Sequence, residues 1–144
     1  MARQYSVLLA GREYPLRFTA KDGIALKRRF GKPLATLLRE DVMGLAEEPK
    51  PDGAPGETHW VPKGQFDLEV QVAFLHAGVV SGGAKLTEDK IMDYIQQHLD
   101  SAQHMGPIIQ PLWKAVYISG ITGASIDPDA AQEGTDEPAP EGKA

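Results

Sequence analysis

Apolar and polar residues alternate along the first eighteen positions. Tyr5, Val7 and Leu9 fall at every second residue, and so do Tyr14, Leu16 and Phe18. A period of two is the mark of a strand with one face buried. Ala10-Gly11-Arg12-Glu13 lies between the two sets, and Gly11 suits a turn position of positive φ. The pattern predicts a β-hairpin. Pro15 has no N–H for a ladder, so its strand is an edge or begins just after it. Because a lone hairpin is marginal in water, this one must lay its apolar face on the helices that follow.

Those helices are punctuated in the sequence. Thr19 and Asp22 have capping-box spacing, which predicts a helix over 20–30, with Ile24, Leu26 and Phe30 on one side and Lys27, Arg28 and Arg29 on the wet side. Gly31 ends it and Pro33 opens the next, whose stripe is Leu34, Leu37, Leu38 and Val42. Residues 45–64 are rich in Pro, Gly and charge and are read as a mobile loop, with Trp60 and Val61 as its anchors. The stretch 65–79 carries Phe66, Val70, Ala73, Phe74 and Ala77 at helical spacing. Leu68, Val72, Leu75 and Val79 widen that face, so this helix is read as central. Gly78 and Ser81-Gly82-Gly83 are read as its end. Thr87 then caps a helix whose first turn holds Glu88 and Asp89, with Ile91, Ile95, Leu99 and Ala102 as its stripe. Gly106-Pro107 breaks the chain. A last helix carries Ile108, Ile109, Leu112, Trp113, Val116 and Tyr117, with Pro111 in its first turn or kinking it, and Gly120 at its end.

The expected fold is therefore mainly α (α+β), with the N-terminal hairpin packed on about four to five short helices over residues 1–124. Residues 125–144 are acidic and nearly free of large apolar groups. They are expected to be disordered, since they bury too little to offset the entropy of ordering.

Composition narrows the function. The 144 residues include no cysteine, which removes thiol nucleophiles, thiolate metal sites and disulfides, and fits a reducing, cytoplasmic setting. No signal peptide and no membrane span are expected. A net charge of −5 argues against bulk affinity for nucleic acid. Cations crowd the first forty residues and acids crowd the tail. The basic run Lys27-Arg28-Arg29 is read first as a solvated helix face and second as a docking patch for an acidic partner.

Catalytic signatures fail one by one. The stretch from Gly78 to Lys85 lacks the Gly-Lys-Ser/Thr ending of a phosphate loop and follows a helix pattern. His59, His76, His98 and His104 include no i, i+4 pair for a metal. There is no nucleophile elbow. Neither an enzyme activity nor a cofactor is expected.

The first forty residues carry a more specific signal. Gly11-Arg12-Glu13-Tyr14-Pro15-Leu16-Arg17-Phe18, then a helix ending in Phe30-Gly31-Lys32-Pro33-Leu34, then Leu37-Leu38, resembles the tail assembly chaperones of long-tailed phages and of phage-derived gene transfer agents. The apolar helix from Phe66 to Gly78 and the start Leu86-Thr87-Glu88-Asp89 extend the resemblance to about Gly120. It implies a non-catalytic chaperone of virion morphogenesis. Such a protein coats the helix-rich tape measure protein, recruits tail tube subunits, acts in the host cytoplasm and is absent from the mature virion. Self-association is left open. A longer frameshifted form, diverging near the acidic tail, is common in that family. Apolar stripes of a tape measure protein suit a helix-in-groove mode of recognition. Phe66, Val70, Phe74, Trp113 and Tyr117 are the candidate groove residues, although each is more readily read as core, since an aromatic at helical spacing is usually packed inside. Lys27, Arg28 and Arg29 complete the candidate partner-binding set. The alternative is a structural tail protein, a tube or joining subunit, which should be richer in strands.

Overall fold

The chain reverses at Ala10-Gly11, where both residues have positive φ, 51° and 79°. Two consecutive left-handed residues make the tight turn whose twist matches a β-hairpin. It joins β1 (Tyr5–Leu9) to antiparallel β2 (Arg12–Leu16), with Val7 opposite Tyr14. Val7, Leu9, Tyr14 and Leu16 are buried while Leu8 and Glu13 face solvent, as the alternation requires. The computed structural model describes residues 4–63, 66–101 and 104–123. The tail expected beyond 124 lies outside the described residues, as do Gln65 and Ala102.

Helix α1 (Ala20–Phe30) begins in a complete capping box. The Thr19 hydroxyl accepts from the Asp22 N–H, and the Asp22 carboxylate accepts from the Thr19 N–H at 2.9 Å. Gly31, at φ 72°, closes the helix in the left-handed conformation. Helix α2 (Leu34–Thr36) runs straight into a π-helical segment (Leu37–Val42). The Met43 N–H reaches back five residues to the Leu38 carbonyl at 2.9 Å. This is one residue more than an α-turn holds. The freed Val42 carbonyl accepts from the buried Gln71 side chain at 2.9 Å, which ties the segment to α3 (Leu68–Ser81).

Residues 45–62, read from sequence as a mobile loop, form a second antiparallel hairpin, β3 (Leu45–Pro49) with β4 (Thr58–Pro62). The Arg39 guanidinium lies over the Trp60 ring at 5.4 Å, and Lys63 pairs with Glu48. Side-chain pairing across the strands and onto the π-segment supplies what the weak alternation does not.

Helix α3 is the centre of the core, as expected from its broad apolar face. Its extent is corrected, however: Gly78 does not end it. The helix continues to Ser81, and Gly78 is where β2 touches it. The Arg17 N–H donates to the Gly78 carbonyl at 3.0 Å. A Cβ at Gly78 would stand 2.8 Å from the Phe18 ring and 2.9 Å from a Leu16 methyl. One turn on, a Cβ at Gly82 would stand 2.1 Å from the Pro15 carbonyl oxygen. The two glycines make the surface on which the hairpin sits.

Thr87 caps α4 (Glu88–Asp100), and α5 (Gly106–Ser119) closes the fold. The first hairpin lies across two helices, β1 on α5 and β2 on α3, while α1 and α4 flank α3. Pro111 stands inside α5, beyond its first turn. The fold is α+β, with the N-terminal hairpin on a helical assembly, as the pattern predicted, plus one hairpin that it did not. Among the described residues no helix is long and apolar enough to cross a membrane.

Candidate partner-binding groove

The candidate groove chosen from sequence does not assemble. Val70 and Phe74 are 2% and 0% exposed, and the Phe74 ring packs against Phe18 with centroids 6.4 Å apart. They are core, and no partner can reach them. Trp113 and Tyr117 form an edge-to-face pair at 5.7 Å on α5, half-buried against the core. Of the five, only Phe66 is open, at 49%. The reason is physical. Helix α3 is apolar nearly all round, so periodicity alone cannot say which of its apolar side chains point inward.

The exposed apolar surface collects elsewhere. Seven large apolar side chains are exposed among the described residues, and three of them, Leu68, Met92 and Leu99, lie where α3 and α4 run together. Between the two helices is a groove of about 470 Å³. Its floor is Val72 and Ile95, both buried. Its walls are Leu68 at 44%, Met92 at 46% and Leu99 at 38% exposure, with Gln96 beside them. Leu68 also borders a second, largely polar depression, where Phe66 lies among Glu40, Asp41, Glu47 and Lys63.

On α4 the lining residues are Glu88, Met92, Ile95, Gln96 and Leu99, of which Glu88, Met92, Ile95 and Leu99 form a stripe at i, i+4, i+7 and i+11. This stripe is about 17 Å long at 1.5 Å per residue. It lies one step round the helix from the predicted stripe, sharing Ile95 and Leu99 with it. The adjacent pair Ile91-Met92 carried the signal, because Ile91 alone suffices to fill the core and Met92 is surplus.

One end of the groove is closed by charge. Arg29, from the last turn of α1, donates twice to Glu88, at 2.6 and 3.2 Å, and stands 3.6 Å from Glu69. This fork joins α1, α3 and α4. Bonding from Arg29 holds the Glu88 carboxyl below the ordinary glutamate value of 4.5, and bonding to Glu88 in turn raises the Arg29 guanidinium. Of the three cations singled out in the sequence, only Arg29 reaches the groove. Lys27 and Arg28 are exposed on α1 and make no ion pair among the described residues. Lys27 instead lines a separate 620 Å³ depression with Ile24 and Ile121.

Two of the imidazoles are occupied with backbone carbonyls. His76 Nε2 lies 3.0 Å from the Leu86 carbonyl oxygen, and His98 Nε2 lies 2.7 Å from that of His104. Among the described residues no three of His, Asp and Glu gather as a metal site.

The geometry defines the class of surface: an open apolar trough between two helices, polar at one end, with few groups inside to orient a small molecule. No family model, no curated protein and no solved structure matches this chain.

Proposed function

We propose that this protein is a non-catalytic tail assembly chaperone of the long-tailed phage or gene transfer agent type, which holds helical segments of the tape measure protein and recruits tail tube subunits. The observation that carries the reading is the α3–α4 groove, a strip of exposed apolar side chains on two rigid helices. An unassembled tape measure protein exposes apolar stripes that aggregate unless covered, and such a strip is the complement that a helix-in-groove contact needs. The hairpin-to-α1 sequence signature supports the same assignment. On this reading the protein acts in the host cytoplasm, needs no cofactor and engages neither nucleic acid nor membrane.

Co-expression with the tape measure protein of the same genome tests the proposal. The expected result is a soluble complex on size exclusion that weakens when Met92 and Leu99 are both replaced by Ser. A tape measure protein that stays insoluble, or a complex indifferent to those substitutions, would count against it.

The second hairpin favours one other reading, a structural tail subunit. β3–β4 and β1–β2 are separate two-stranded sheets, and free strand edges invite pairing between copies. Stoichiometric presence of the chain in purified particles would favour that reading over the chaperone.

A further inference from the structure

The apolar strip of α4 has an acidic neighbour. Asp89, Asp93 and Asp100 each follow a lining residue by one position, after Glu88, Met92 and Leu99. One residue is about 100° of helix rotation, so the three carboxylates form a second stripe along the outer edge of the groove, and all three are exposed. Glu69, in the first turn of α3, adds a carboxylate beside Arg29. Little nearby charge offsets them. Arg29 is engaged with Glu88 and Glu69. Lys90, the lone Lys or Arg of α4, lies over the Tyr94 ring at 5.5 Å, and Tyr94 faces the depression under the first hairpin rather than the groove.

We propose that the groove receives an amphipathic helix of another protein, about three turns long, whose apolar stripe is flanked on one side by lysine or arginine. This inference rests on the helix-receiving reading of the groove and adds the chemistry of what enters it. An apolar stripe of that length matches the α4 lining. The flanking cations meet the outer row of carboxylates, which sets orientation and selects against acidic helices. The same row opposes the other occupants. It repels phosphate backbones and anionic lipid. It also opposes pairing of α4 with α4 of a second copy. Helix α1 of a second copy has cations, Lys21, Lys27 and Arg28, but exposes one large apolar side chain, Ile24, where the groove offers a row.

The test uses the full chain and three synthetic helical peptides of about 18 residues, long enough to fold on the groove. They share one leucine stripe and differ only in the flank, which is Lys, Gln or Glu. Titration calorimetry at low and high salt should rank them Lys, then Gln, then Glu. Three exposed charge pairs, each worth about a factor of two, give roughly tenfold between Lys and Gln flanks at low salt. That gap should shrink as salt rises. Replacing Asp89, Asp93 and Asp100 together by Asn should remove the preference and leave Gln-flank affinity unchanged. Equal binding of all three peptides overturns the charge selection and leaves the helix-receiving groove standing. Binding of none overturns both. An oligomer of the chain that no peptide dissociates, but that Met92→Ser and Leu99→Ser dissolve, would make a second copy the occupant and overturn the proposal.

Discussion

Replacing Gly78 by Ala asks whether the hairpin rests on α3 as described. In an exposed helix interior the change stabilises by about 1 kcal/mol, because alanine loses less backbone entropy than glycine. Here the new methyl would meet the Phe18 ring at 2.8 Å and Leu16 at 2.9 Å, and both side chains are buried. Neither is the free end of a flexible chain. Phe18 is held by Phe74 and Leu16 by the ladder to Tyr5. Forcing a methyl into a filled core costs about 1–3 kcal/mol. If β2 yields instead, the 3.0 Å bond from the Arg17 N–H to the Gly78 carbonyl stretches, a loss of about 1 kcal/mol. The expected balance is a net destabilisation of about 1–2 kcal/mol, which for a domain of this size lowers Tm by roughly 4–8 °C. Urea unfolding followed by circular dichroism reads the free energy, and a thermal scan reads Tm. Gly82→Ala should cost more, because its methyl would meet the Pro15 carbonyl oxygen, which is backbone and cannot rotate away. Gly82 has φ −80°, a conformation open to any residue, so the clash alone is responsible. A Gly78→Ala variant more stable than the parent by about 1 kcal/mol would mean that helix propensity alone governs the site, and would refute the hairpin contact.

Three further outcomes are expected. Ala10 holds φ 51°, a left-handed conformation that costs a non-glycine residue roughly 1 kcal/mol. Ala10→Asn, which gives the favoured Asn-Gly turn, should therefore raise stability by up to about that amount in urea melts. The Arg29–Glu88 pair should contribute about 0.5–1 kcal/mol at neutral pH, as expected of a partly exposed pair. The Glu88 carboxyl is depressed in the fold, so its contribution is complete above the ordinary value of 4.5 and is lost as pH falls through the depressed one. The stability gap between the parent and Glu88→Gln should accordingly close as the pH falls below the ordinary value of 4.5, and a gap that widened instead would overturn this expectation. Met92→Ser with Leu99→Ser should leave Tm within a few degrees of the parent, since both side chains are already well exposed. Val72→Ser on the groove floor should cost at least about 2 kcal/mol in the same melts.

The elements legible in the sequence were those with chemical punctuation. Helix α1 is bounded by the Thr19–Asp22 box and Gly31, and α4 by Thr87, and all three act as local chemistry says they should. The second hairpin was not legible. Its strands, Leu-Ala-Glu-Glu-Pro and Thr-His-Trp-Val-Pro, alternate weakly, and contacts from outside them, Arg39 on Trp60 and Lys63 on Glu48, help to hold them. Gly78 misled for a related reason. Glycine ends a helix where the chain must turn, but here it is needed because another strand comes close. The groove was half visible. Leu68 and Leu99 were in view as apolar positions and Met92 was not, and which apolar residues exceed what the core can take depends on packing between helices. Choosing apolar residues by helical spacing therefore led to Val70 and Phe74, in the interior.

The π-helical segment has a consequence for how this fold tolerates change in length. It holds one residue more than an α-helix would over the same path. Removing a single residue between Leu37 and Val42 would let the backbone wind as an ordinary helix, turning everything downstream by about 100° and shortening the path by about 1.5 Å. The Val42 carbonyl would leave the Gln71 side chain, and the Asp41 carbonyl would leave the Asp67 N–H that it now meets at 2.8 Å at the entrance to α3. Because that entrance carries Leu68 and the upper wall of the groove, a one-residue deletion there would act as a change of phase. The second hairpin and the groove would swing together, and because α3 and α5 carry the first hairpin, its seat on Gly78 and Gly82 would be disturbed as well. Relatives of this protein should therefore conserve the length of this segment more strictly than its residues.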